Sequence, residues 1–425
     1  MVRFARQLAA SHSEQKMANE QDSKNTHKLE KDAPSFASIY HRPVGVYALA
    51  HSVGPLCKTA TSQLNEHYLE PWQTTGGDAW PHWMSQIDRF RNALSVLLNT
   101  NSADICPQPS VSIAFSQWLA ALAKRNKRKN STKPPSPSSP KKVIMHKDAF
   151  ASLGFAVKGL CETYHLELCL IDGSANDLSE WEAQLSQADA FACLLTHAHS
   201  NTGELSNIAQ LSALAHAHNV WCGVDIAQSV GIIPIDITQW SVDCVVGSSV
   251  KWLSGGPGAA FLCLASEHAE ELAPDHLAWF SHENPFEFDI THFAPAKGVT
   301  RFFGGTPSIA PFILAASAIE QHVSISTSVY REHNLMLMRH FLQELLQTSP
   351  QAIPAHYCDL LSKTPSRSSQ NIACSGTLCL PLPANDTAQK LTQAGVKFDQ
   401  REQLIRLSFS VINDVNDIEQ VLSCL

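Results

Sequence analysis

No stretch of this chain approaches the roughly 18 uninterrupted apolar residues that a membrane-spanning helix needs, so no membrane partner is expected. The start, MVRFARQLAASHS, has some basic character but neither an apolar signal core nor a small-residue cleavage site. An amphipathic transit peptide there would be short, and a cytoplasmic location is the expectation. The 12 cysteines include no CxxC pair and no regular spacing. That excludes a disulfide framework as the organising device and points to buried thiols in a reducing compartment. What is present is an ordinary globular composition, 44% apolar, over 425 residues. That length suits two domains, or one large domain with a satellite.

The net charge of −8 hides an asymmetry. The segment KRNKRKNSTKPPSPSSPKK (124–142) holds eight basic residues and no acidic one, leaving −16 on the rest of the chain. It is Pro/Ser-rich and reads as a solvated basic loop. No aromatic residue interleaves it, so nucleic acid is not the expected partner. The first 33 residues are polar and aperiodic and read as a disordered arm.

From residue 143 the pattern becomes regular. Strands are expected at 143–147, 166–171, 191–196, 220–225 and 242–248. Helices are expected at 150–163, 177–187 and 204–219. Apolar strands alternating with helices predict a parallel sheet covered on both faces. Beyond about 325 the rhythm changes to a long helix (327–347), strands at 376–382, 396–399 and 404–410, and helices at 386–395 and 415–424. The expected division is a large domain over 34–325 and a small α+β domain over 326–425, with segment 34–75 packing near the latter.

Ligands of open parallel α/β sheets sit at the carboxyl ends of the strands. Three stretches fall there: THAHSNTG (196–203), VDIAQ (224–228) and GSSVKW (247–252). Asp225 and Lys251, on neighbouring strand ends, suit pyridoxal phosphate. The amine would form an imine with the cofactor aldehyde, and the acid would keep the ring nitrogen protonated. Ser248 and Ser249 would offer hydroxyls to the phosphate, Phe150 would stack on the ring, and Ser110 would bind phosphate at a helix start. A strand-end Asp also serves as a cap or turn former, and spacing alone leaves that alternative open. The His-Ala-His run (197–199) has no acidic or cysteine partner at metal-site spacing, so no metal is expected. His216 and His218 lie two apart, on different helix faces.

VDIAQSVGIIPIDI followed by SSVKWLSGGPGAAFLCL resembles the class V group of fold-type I pyridoxal-phosphate enzymes, in which D-x-A-[HQ] precedes a strand, the cofactor lysine and a Gly-rich turn. The resemblance is nearest to the kynureninase family. VYALAHSVGPL (46–56), DAFAS (148–152), THAHSNTGEL (196–205), AWFSH (278–282), FAPAKGVTRFFGGTPSIAP (293–311) and REQLIRLSFS (401–410) are similar to its segments in order and spacing. The resemblance covers about residues 40–425. It implies an aspartate-aminotransferase-like α/β fold, pyridoxal 5'-phosphate as cofactor, an amino acid as substrate, and a homodimer with active sites at the interface.

Position by position, the resemblance implies that Lys251 holds the cofactor, Asp225 faces its ring nitrogen, and Gln228 stands near its ring oxygen. Phe150 would stack on the ring and Ser110 would take a phosphate-binding threonine position. Trp279 and Thr306 would reach the phosphate across the dimer interface, and Arg406 would grip the substrate α-carboxylate. His51 replaces the asparagine of a family segment that shapes the substrate site. Val250 replaces the tyrosine before the lysine, and Leu153 replaces an aspartate near the cofactor. The implied reaction is hydrolysis of a Cβ–Cγ bond with release of alanine. Transamination, epimerisation, cysteine desulfuration or a non-catalytic cofactor-binding role are the alternatives. Desulfuration needs a mobile cysteine before the arginine strand, and VKFDQREQ (396–403) has none; Cys374 lies too early.

Overall fold

The computed structural model describes residues 36–130, 140–362, 373–382 and 384–425. The expected disordered arm and residues 131–139 of the Pro/Ser-rich tract lie outside these residues. The chain forms two compact units. Of Met1–Ile39 the described part is a short 3-10 turn, Phe36–Ser38. Tyr40–Leu425 holds everything below.

Among the described residues twelve strands run in chain order as β1 (Val46–Tyr47), β2 (Ile105–Gln108), β3 (Lys142–His146), β4 (Glu167–Ile171), β5 (Ala190–Thr196) and β6 (Trp221–Asp225). They continue as β7 (Cys244–Ser248), β8 (Ala260–Cys263), β9 (Leu378–Pro381), β10 (Val396–Lys397), β11 (Asp399–Arg401) and β12 (Leu404–Leu407). The main sheet has the order β2-β8-β7-β6-β5-β3-β4. Its apolar runs are continuous because successive residues enter opposite cores. Ile144, Cys193, Leu195, Cys222, Val224 and Val245 pack on Phe90 and Leu94 of the helix Trp80–Leu98 and on Phe312 of Ile309–Ile325. Their neighbours Val143, Met145, Ala192, Leu194, Cys244 and Val246 pack on Phe115 and Trp118 of the helix Val111–Asn130 and on Val157 of Ala151–Tyr164. Period-two alternation with both faces buried gives this pattern. All twelve cysteines are free.

The sheet departs from the all-parallel expectation at one strand. β8 is antiparallel to both β7 and β2, whereas the β3, β4, β5, β6 and β7 pairings are parallel. Residues 249–259 contain no helix and are too few for a parallel crossover, so the chain folds back. The basic-loop expectation also changes. The helix Val111–Asn130 runs on through Lys124 and Arg125, which pair with Asp275 and Glu271, and Arg125 lies over the Trp221 ring at 5.1 Å. Acidic partners on the protein, rather than water, take up that end of the charge run. The helix expected at 204–219 is confined to Ile208–Ala217, because residues 204–205 bridge to Cys374 and Ala198. The strand expected at 396–399 is split between two sheets at Phe398.

The chain bends by 78° between the helices Ile309–Ile325 and Thr327–Thr348. Beyond the bend, β11-β12-β9 form a small antiparallel sheet, covered by Thr327–Thr348 and Val415–Leu422. Val46 and Ala48 belong to this core, and β1 pairs parallel with β10. Among the described residues no single helix is long and apolar enough to cross a membrane.

A strap ties the two parts together. Ser375 N donates to Gly203 O at 2.7 Å and Leu205 N to Ala373 O at 3.2 Å. Gly203 has φ +77°, and a Cβ there would stand 2.3 Å from Tyr357 Oη and 2.7 Å from Thr377 O. Gly203→Ala therefore combines backbone strain with a clash. The expected result is a loss of about 2–3 kcal/mol of stability, read from a lowered urea midpoint at unchanged slope.

Candidate active site

β6 and β7 are adjacent, and their carboxyl ends carry Asp225 and, three residues past the last strand residue, Lys251. Asp225 is buried. One oxygen accepts from Ala227 N at 2.8 Å, so it does serve the turn, but the other accepts no hydrogen bond among the described residues. Burial pushes its acid upward while Lys251 opposes the shift. Burial likewise pulls the Lys251 amine down to about 8, against the pull of Asp225 and with help from Arg406 and Arg401. Two charges withdrawn from water in this way each lean toward neutrality.

Phe150 caps the helix Ala151–Tyr164 in an extended conformation. Its ring is 42% exposed and its centroid is 5.4 Å from Lys251 Nζ. Gln228, with its amide oriented to satisfy both neighbours, accepts from Lys251 Nζ at 3.2 Å and donates to His51 O at 3.3 Å. Gly54 N donates to Val250 O at 2.9 Å, and a Cβ on Gly54 would lie 2.1 Å from Lys251 O. The segment Ser52–Pro55 thus rests directly on the lysine's backbone, a contact only glycine permits.

Arg406, on β12, is 2% exposed. Its Nη1 donates to Asp399 Oδ2, while its Nε and Nη2 are buried without a partner. Those two N–H groups form the side-on edge of the guanidinium, which matches a carboxylate bidentately. An edge of this kind left empty in the interior costs free energy unless a ligand fills it. His51 Nδ1 lies 2.7 Å from Ser408 Oγ, and its unpartnered Nε2 is 3.9 Å from Asp399 Oδ2. Burial holds His51 neutral, down at about 4. Contact with His51, together with Arg406 and Arg401, holds Asp399 at about 2 although partial burial opposes it.

The remaining expected residues divide. Ser110 Oγ accepts from Ile113 N at 3.2 Å and so caps the helix Val111–Asn130, whose first turn faces the start of Ala151–Tyr164 through Ser112 and Ser152, 2.6 Å apart. Ser248 Oγ accepts from Val250 N at 3.4 Å, which leaves its proton available. Ser249 is 1% exposed and directs its hydroxyl to Ala259 O at 2.8 Å and Gly256 O at 3.3 Å. In this structure the turn takes that proton. Trp279 sits in an aromatic group with Trp80, Phe280 and Phe286. Thr306 lines a cavity of about 490 Å³ with Pro109, Ile113 and Phe312. Leu153 is buried among Phe115 and Trp118, and Val250 contributes its carbonyl to Gly54.

His197 and His199 are buried and held neutral by that burial, at about 3 and 4, and bond Ser229 and Ser206 at 2.9 and 3.0 Å. They shape the loop. His216 and His218 have separate partners, Asp243 and Glu182. No three metal-ligating side chains converge among the described residues. Cys374 is 0% exposed, its thiol pushed up by burial, with its carbonyl held by Arg331. Sequence reasoning missed Asp399 and Arg401. Their signal was the alternation Asp-Gln-Arg directly before the arginine strand.

A buried amine near 8, a buried acid on the next strand, an exposed aromatic face and a capped helix start fit a cofactor with an aldehyde, a basic ring and a phosphate. The sequence profile described as Aminotransferase class-V matches residues 141–421. A kynureninase of Deinococcus radiodurans is 26% identical over 298 residues, covering 68% of this chain and 66% of its own. Kynureninase 2 of Neurospora crassa is 24% identical over 391 residues, covering 84% and 80%. An uncharacterized aminotransferase of Bacillus subtilis is 28% identical, covering 60% and 64%. The chain thus spans about two thirds of the length of the first of these relatives. Among solved structures, a cysteine desulfurase from Thermococcus onnurineus superposes with TM-score 0.74 at 16% identity, covering 93% and 96%. A C-DES variant with glycine covalently linked to its PLP cofactor gives TM-score 0.77 at 17% identity, covering 92% and 98%. These last two likenesses establish the fold, and the profile match, spanning two thirds of the chain, establishes the family: the chain belongs to the class-V aminotransferase family of pyridoxal-phosphate-dependent enzymes.

Proposed function

We propose that this enzyme is a kynureninase-like hydrolase, cleaving the Cβ–Cγ bond of an α-amino acid and releasing alanine. The observation that carries the reading is the empty side-on edge of Arg406 near the buried Lys251 amine. The kynureninases among its relatives support the choice of reaction.

Pyridoxal phosphate, when bound, supplies an electron-withdrawing ring. The chain's own groups divide the remaining work. Lys251 Nζ would hold the cofactor aldehyde, and the same amine is placed to carry a proton to or from the substrate Cα. Asp225 would face the ring nitrogen with its free oxygen and keep it protonated. Gln228 stands beside Nζ and orients it. Phe150 offers an exposed face for stacking, and Ser110 and Ser248 offer a helix start and a hydroxyl to the phosphate. Arg406 Nε and Nη2 grip the α-carboxylate, which fixes Cα over the lysine. His51 faces the same cradle as a neutral donor.

The active form is a homodimer on this reading, with Trp279 and Thr306 completing the partner's phosphate site. Leu277, Phe286, Phe288, Ile290 and Phe293 are exposed around Trp279; Ile290 is 98% exposed. Such an apolar stretch suits a second copy of the chain. On this reading the cofactor domain ends at residue 325 and the small domain covers 326–425, while residues 36–39 of the expected 34–325 range fall in the separate unit Met1–Ile39. A second reading, transamination or epimerisation, draws on the Bacillus relative and on His51, Val250 and Leu153, which differ from the kynureninase pattern.

Purified protein given pyridoxal phosphate is expected to develop a visible absorption band that Lys251→Ala abolishes. Incubation with kynurenine or 3-hydroxykynurenine should then release alanine. A band without alanine release, but with keto-acid formation or loss of chirality, favours the second reading. No band, and no effect of Lys251→Ala, leaves only a non-catalytic protein.

The lysine also sets a pH dependence. A base whose folded-state pKa is lowered to about 8 is neutral, hence nucleophilic, above that pH. At pH 7 its neutral fraction is a few hundred times that of an ordinary lysine. The rate at which cofactor-free protein captures pyridoxal phosphate should rise with pH and level off above about 8. A rise centred near 10.5 would show a lysine that is not buried beside Asp225.

A further inference from the structure

The cradle around Arg406 contains a carboxylate of its own. Asp399 lies opposite Arg406 in the β11–β12 register and accepts from its Nη1. The same oxygen is 3.5 Å from Arg401 Nε and 3.9 Å from His51 Nε2. Arg401 is committed elsewhere as well: its Nη1 donates to Asn201 Oδ1 at 2.5 Å and to Ser200 Oγ at 3.3 Å. His51 is uncharged, and its Nδ1 is occupied by Ser408. Gln228 is neutral, and Cys379, opposite Arg406 in the β12–β9 register, is a buried thiol pushed up to about 11. Two guanidiniums and one carboxylate leave a single positive charge, enough for one substrate carboxylate on the free edge of Arg406.

A second anionic group on the substrate would meet Asp399 at close range, and Arg401, the other guanidinium of the cradle, is already shared among Asp399, Asn201 and Ser200. Like charges juxtaposed in a partly buried site disfavour binding. We propose that Asp399 is a specificity-determining residue that limits this enzyme to amino acids with one carboxylate and rejects those with an acidic side chain. The proposal rests on the reading that Arg406 takes the α-carboxylate. Asp399 fixes the orientation of Arg406 through Nη1, and by the same contact it repels a second carboxylate.

The test uses the protein loaded with pyridoxal phosphate, titrated with L-alanine, L-norvaline, L-aspartate and L-glutamate while the visible band is followed. The wild-type protein should bind the two neutral amino acids at least about tenfold more tightly than the acidic pair. Asp399→Asn should shrink that ratio about tenfold or more, chiefly by tightening aspartate and glutamate. Asp399→Glu, which keeps the charge, should preserve the wild-type preference and so separates charge from a loss of Arg406 positioning. Equal binding of all four by the wild type, or an equal loss for all four in Asp399→Asn, overturns the proposal while leaving the amino-acid reading intact. A loaded protein whose band none of the four amino acids shifts overturns that reading, and this proposal with it.

Discussion

Everything at this site depends on keeping an amine out of water without letting it settle into a permanent ion pair. Lys251 stands where burial lowers its affinity for a proton, and Asp225 on the adjacent strand end pulls the other way. A tight, hydrogen-bonded pair would lock the amine as a cation and make it useless as a nucleophile. Instead, Asp225 uses one oxygen on Ala227 and keeps its distance, and Lys251 Nζ donates its hydrogen bond to the neutral Gln228 amide oxygen. The parallel pairing of β6 and β7 makes this spacing possible: it brings both residues to one edge of the sheet on separate strands.

Around that pair the architecture is a set of braces. The turn 254–258 folds β8 back on β7, and Ser249 pins it through two carbonyls, fixing the peptide that carries Lys251. Gly54 seats the 52–55 segment on the same peptide, while β1, a few residues earlier, is a strand partner of β10. His51 lies between, bonded to Ser408 two residues beyond Arg406. One short segment therefore links the lysine, Arg406 and the core of the C-terminal part. Movement of the small sheet relative to the main one would be felt at Lys251 through about ten residues of chain.

The legible part of the sequence was the part built from local rules. Continuous apolar runs gave the central strands because both faces are buried, and strand-end Asp225 and Lys251 were visible because polar residues interrupt those runs abruptly. The less legible part was set by non-local pairing. The direction of β8 depends on how few residues join it to β7. Helix Val111–Asn130 extends into a basic tract because Asp275 and Glu271, about 150 residues away, neutralise it. Residues 204–205 leave the helical pattern because Cys374 and Ala198 pair with them. Ser249 looked like a phosphate ligand by position, yet its side chain points into the turn, a rotamer choice that sequence spacing does not encode.

The same distinction separates chemistry from specificity. Lys251, Asp225, Gln228 and Phe150 come from strand ends of one sheet, so a family pattern can mark them. The cradle is assembled from three distant segments: His51 before the main sheet, Ser200 and Asn201 in a strand-end loop, and Asp399, Arg401 and Arg406 near the chain's end. Each contributes a charge or a donor whose meaning depends on the others. With Asp399 on Nη1 and Arg401 held by Asn201, Arg406 presents a single unpartnered edge, Nε and Nη2. The desulfurase-like fold of the chain is compatible with several reactions; Cys374 is buried, and residues 396–403, just before the arginine strand, contain no cysteine. The scaffold thus sets the cofactor chemistry, and on the proposed reading the folding of remote segments onto Arg406 sets what that chemistry is applied to.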